Sequence, residues 1–107
     1  MHITEVQIMP IKASDGLVAL ASIVFNHCLY LGSIGVYTRR NAPGYRITYP
    51  TKSSDGKSFN IYHPINREVS AAIELAVLRQ AATVLETLTY QTQKSNEYDR
   101  HSHPLNS

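Results

Sequence analysis

The sequence predicts an α+β fold, a small antiparallel β-sheet followed by one long C-terminal helix. Three observations carry this. The first half alternates apolar and polar residues or runs in short β-branched stretches, punctuated by the hairpin dipeptides Asp15-Gly16 and Asp55-Gly56. From Arg67 onward the apolar period becomes helical, with Val69, Ile73, Ala76, Val77, Val84 and Leu88 at spacings of three, four and seven. And 107 residues with 43% apolar content suffice for one hydrophobic core but not two.

Taken in order, "ITEVQIM" sets Ile3, Val6 and Ile8 around Glu5 and Gln7, the pattern of a half-buried strand over residues 3–9. "PIKASDG" then supplies turn chemistry. "LVALASIVF" is short, β-branched and apolar, which predicts a strand buried on both faces. Asn26-His27 forms a tight turn into "CLYLGSIGVY", a third strand whose Gly32 and Gly35 signal a bulge or a close backbone approach. Two β-prone pieces, "YRITY" and "FNIY", flank Asp55-Gly56 and are expected to pair as a ribbon, with Pro50 marking a strand end.

The helix start is written at "YHPIN". Pro64 confines His63 to extended backbone and so ends the strand. Asn66 offers a side-chain oxygen to an orphaned amide of the first turn, and Glu68 complements the positive helix end. His63 is expected to hydrogen-bond and fix this joint. Leu75, Leu78, Ala82 and Leu85 widen the apolar face beyond one sheet's reach, which implies a second partner, most simply another copy of the chain. Residues 1–90 read as a single domain, and residues 91–107 as a polar, mobile tail.

Composition narrows the functional classes. One cysteine, Cys28, allows no internal disulfide. The N-terminus shows no signal-peptide pattern, and the most apolar run is about half the ~20 residues a membrane helix needs. A cytoplasmic location and no membrane partner are expected. The formal net charge is only +2, but it is unevenly distributed. Arg39, Arg40, Arg46, Lys52, Lys57 and Arg67 face a single acidic residue, Asp55, within their segment, while the remainder holds four basic against seven acidic residues. Such asymmetry marks a footprint for a polyanion.

The run "YPTKSSDGKSFNIYHPINREVSAAIELAVL" resembles the signature of the stage V sporulation protein G (septation regulator) family. That signature is a basic turn, an Asp-Gly, and a His-Pro-Ile-Asn element opening a helix. "ITEVQI" and "DGLVALASIVFNHCLYLGSIGV" follow the family in spacing and strand order, so the likeness covers roughly residues 1 to 90. It implies a dimeric domain with strand exchange between protomers, and a bacterial cytoplasmic regulator of septation and sporulation that binds DNA and RNA. Two departures stand out. Ser53 and Ser54 occupy positions where the family tends to carry a further basic residue, and Val69-Ser70-Ala71-Ala72 replaces a basic first turn. Arg39, Arg40 and Arg46 supply charge elsewhere.

Lys52, Lys57 and Arg67 are therefore expected to contact phosphates, with Arg39, Arg40 and Arg46 nearby. Tyr37, Tyr45, Tyr49 and Tyr62 are interleaved with these charges. Tyr45 and Tyr49 are the candidates for stacking on bases, set against ordinary packing on a sheet. No catalytic residue is expected. Cys28 and His63 are the sole nucleophile–base candidates, and no orienting third residue or phosphate loop accompanies them. No metal or cofactor is expected, because neither His27-Cys28 nor the His101/His103 pair has structural-zinc spacing, and no small-molecule substrate is expected either. The alternative class is a protein-interaction module that uses the apolar helix without nucleic acid.

Overall fold

Three tight turns join successive strands. Asp15-Gly16, Asn26-His27 and Asp55-Gly56 all hold positive φ at both central residues, between 50° and 88°. This mirror-image turn geometry matches the right-handed twist of the strands it joins, and Asp, Asn and Gly tolerate it best. The computed structural model describes the backbone of residues 2–106 and the side chains of residues 2–88.

Four strands, β1 (Ile3–Ser14), β2 (Leu17–Phe25), β3 (Leu29–Thr38) and β4 (Tyr45–Thr48), form an antiparallel sheet in sequence order. A separate two-stranded ribbon pairs β5 (Thr51–Ser54) with β6 (Lys57–Asn60), and α1 (Arg67–Asn106) follows. The α+β class is as the sequence predicts.

Register explains the core. Opposed residues of an antiparallel pair share a face, so Ile3, Val6 and Ile8 of β1 line up with Phe25, Ile23 and Ala21 of β2. Val36 and Ile34 of β3 stand opposite Ala19 and Ala21. Against this face α1 lays Ile73, Val77 and Ala81, spaced by four residues along one stripe and all buried. Withdrawing Ile73 or Val77 from water contributes about 2 kcal/mol each. The helix packs on β1, β2 and β4, crossing the sheet from one edge to the other.

Three local expectations change. β1 runs through Pro10 to Ser14 instead of stopping at Met9; as an edge strand it tolerates a residue without an N–H donor, and its register slips between Pro10 and Ser14. β2 is buried on one face only: Ala19, Ala21, Ile23 and Phe25 are enclosed, while the residues between them are half-buried, because among the described residues no layer covers the far side of the sheet. "YRITY" does not pair with "FNIY"; β4 joins β3, and the ribbon forms from Thr51–Ser54 and Lys57–Asn60 around Asp55-Gly56. Pro50 separates the two sheets. The backbone of α1 extends to Asn106; the side chains of the segment read as a tail, His101 and His103 included, lie outside the described residues.

The glycine signals in β3 are borne out. The β2–β3 register slips across Gly32-Ser33, with Ser33 at φ 61°, which is a bulge. Gly35 is a close approach: a Cβ there would sit 2.7 Å from Thr48 Oγ1 and 2.9 Å from the Tyr37 ring.

Candidate nucleic-acid interface

All six basic residues of the central segment are exposed, and none makes an ion pair with a described residue. They sit on four elements and one loop. Arg39 and Arg40 lie in the β3–β4 loop, which the Arg39 N–H closes by donating to Gly44 O at 3.2 Å. Arg46 is on β4, Lys52 on β5, Lys57 on β6, and Arg67 is the first residue of α1.

The ribbon brings two of them together. Lys52 pairs with Phe59 and Ser54 with Lys57, so Lys52, Ser54, Lys57 and Phe59 share one face. Thr51, Ser53, Ser58 and Asn60 form the other. The Arg46 guanidinium lies 4.5 Å from the centroid of the Tyr37 ring, a cation–π contact that holds the charge at the surface. Arg67 adds its charge to the positive end of the helix dipole, and Glu68 offsets part of it.

A two-stranded ribbon is marginal alone, and all eight of its strand residues are exposed. It is held at its base. Tyr49, just before β5, and Tyr62, just after β6, meet edge to face with ring centroids 6.0 Å apart and planes at 68°. The Ile61 N–H donates to Pro50 O at 2.8 Å, adding one rung. The Tyr62 hydroxyl donates to Gly32 O at 2.7 Å, and so ties the ribbon to the bulge in β3.

Burial, with smaller contributions from Tyr49 and Tyr30, pushes the Tyr62 pKa up to about 12. The Tyr49 pKa is also raised, by burial first and by Glu74 second; the nearby Ser70 hydroxyl opposes this without completing a hydrogen bond, and the Tyr49 oxygen is enclosed without a hydrogen-bond partner among the described residues.

The junction divides the roles differently from the sequence expectation. Asn66 Oδ1 accepts the Val69 N–H at 3.1 Å, and Asn66 O accepts the Ser70 N–H at 2.9 Å, the pattern of an N-cap. Pro64 lies in the irregular segment just before the helix. His63 is exposed and makes no side-chain hydrogen bond to a described residue; Tyr62 fixes the joint in its place. Tyr45 and Tyr49 are half-buried and pack against the core. The exposed aromatic of the segment is Phe59, 52% accessible. Sequence reasoning passed over it, although its place beside Lys52 follows from the length of the Asp55-Gly56 turn.

Cys28 is exposed at the β2–β3 turn, and no hydrogen bond joins it to His63. Among the described residues no group of three or more His, Cys, Asp or Glu side chains is placed to hold a metal ion, and no helix is long and apolar enough to cross a membrane.

Residues 1–82 match the SpoVG family model. A relative from Clostridium perfringens is 35% identical over 73% of this chain and 86% of its own length. One from Clostridium kluyveri is 31% identical over 91% and 100%, and one from Caldicellulosiruptor saccharolyticus 29% identical over 79% and 96%. Each of the three bears the name "Putative septation protein SpoVG"; none is named as an enzyme.

Proposed function

The chain belongs to the SpoVG family, and from that premise we propose that it is a cytoplasmic, non-enzymatic regulator linked to septum formation and sporulation that acts by binding DNA or RNA as a homodimer. The observation that carries this reading is the set of six exposed cations without ion-pair partners among the described residues, two of them sharing one ribbon face. Charges left unpaired at a surface keep their field for a ligand, and phosphate contacts give affinity that falls steeply with salt. The Arg39/Arg40 loop and Arg46 take over charge that the first helical turn, Val69-Ser70-Ala71-Ala72, does not provide.

Charge reversal of Arg39, Arg40 and Lys52 together abolishes binding to labelled nucleic acid at low salt. Retained affinity in that triple variant would remove the footprint from this surface.

Apolar exposure supports the homodimer. Ile65 is 92% accessible, Ile61 63% and Leu75 54%, and a second copy is the simplest cover for such side chains. Sedimentation equilibrium should give twice the chain mass. The same exposure favours a second reading, an interaction module that recruits a different protein through α1. Salt separates them, since an apolar contact hardly responds to ionic strength whereas polyanion binding does.

A further inference from the structure

We propose that the β5–β6 ribbon is a single-strand platform on which Phe59 stacks against an unpaired base while Lys52 and Lys57 hold the phosphates on either side. This rests on the nucleic-acid reading above and deepens it by naming the class of ligand, unpaired strands in preference to duplex.

The argument begins with register. Lys52 is directly opposite Phe59, and Lys57 lies two residues before Phe59 on the same strand, so all three side chains leave the ribbon on one face. Directly opposed Cβ atoms are about 5 Å apart and diagonal ones about 7–8 Å. A base lying on the ring therefore leaves its flanking phosphates within reach of two flexible lysine stems.

The ring is half exposed and lies outside the core cluster. The ribbon does not need it for packing, since the clamp that holds the ribbon is Tyr49, Tyr62 and the Tyr62–Gly32 hydrogen bond below it. Asp55, the ribbon's one carboxylate, sits at the tip, beyond Lys57 and away from Phe59. Stacking on an exposed aromatic requires a free base face, which a duplex hides within its own stack. Phosphate contact requires no such exposure. The two contributions can thus be separated by the ligand.

The test measures fluorescence anisotropy with three labelled ligands: oligothymidine, an abasic strand of equal length, and a duplex. Wild type is compared with Phe59→Leu, Phe59→Tyr and the Lys52→Glu/Lys57→Glu pair. Phe59→Leu should weaken oligothymidine binding about ten-fold, the loss of one stacked base, and leave the abasic strand and the duplex within about two-fold. Phe59→Tyr should retain wild-type affinity. The lysine pair should weaken all three ligands.

Equal affinity of wild type and Phe59→Leu for oligothymidine would overturn the platform while leaving the basic footprint intact. So would a uniform loss across all three ligands accompanied by a change in sedimentation, because Phe59 would then be an interface residue. Failure of wild type to bind any of the three at low salt would overturn both this inference and the reading beneath it.

Discussion

Asn66 and Tyr62 are single side chains on which the joint between ribbon and helix depends. Asn66→Ala removes the acceptor for the Val69 N–H and should lower stability by about 1 kcal/mol, read from the denaturant midpoint at constant slope. Asn66→Asp should keep the cap. Tyr62→Phe deletes the hydroxyl bonded to Gly32 O, at a cost of about 1 kcal/mol. It should also change the alkaline limb of stability. The folded pKa of Tyr62, about 12, lies above the ordinary value of 10.0. Below about pH 10 both states are protonated and the contribution is complete; between about 10 and 12 the unfolded chain ionises while the folded one resists, so stability falls as pH rises. Denaturation at pH 9 and 11 should show this loss in wild type and a smaller one in Tyr62→Phe; equal losses would contradict it. Asn66 was legible because a capping residue is a local matter of the backbone that follows it. Tyr62 was not, because its partner lies thirty residues away in a bulge, and no periodicity carries that information.

The elements themselves follow from pattern and turn chemistry wherever those signals are local. The three tight turns, the helix start and the bulge in β3 all sit where the residues predict them. Strand pairing across Pro50 is different. "YRITY" and "FNIY" flank a turn, but the two-residue Asp55-Gly56 loop fixes pairing from the turn outward, so Ser54 meets Lys57 and the apolar ends fall below the ribbon. Tyr45 and Ile47 are thereby free to extend the main sheet along β3, where they pack on the core. The helix–sheet contact also contains a position that pattern reading missed. Ala81 is fully buried between Val77 and Leu85, and its small side chain lets α1 approach the sheet. Ala81→Leu should overpack this contact and destabilise by about 1–3 kcal/mol, read as a lowered melting temperature by circular dichroism. A variant as stable as wild type would mean that the helix has room to move there.

At the scale of the whole molecule, two surfaces emerge from one short chain. The ribbon, the β3–β4 loop and the first residue of α1 carry exposed positive charge, while Ile61, Ile65 and Leu75 leave apolar surface open. The clustering of basic residues between Arg39 and Arg67 was plain in the sequence, since charge asymmetry is a matter of counting. How they are arranged was not, because cross-strand register decides that Lys52 and Lys57 face one way and places Phe59, not Tyr45 or Tyr49, at the open surface. The proposed electrostatic interface for nucleic acid rests on these cations. It is tested most directly by measuring the affinity of the full chain for labelled duplex DNA, single-stranded DNA and RNA across a series of salt concentrations. The logarithm of affinity should fall linearly with the logarithm of salt concentration, each engaged cation adding about −0.9 to the slope on duplex DNA. A flat line, or no binding at the lowest salt, would contradict the claim and transfer the function to the apolar surface.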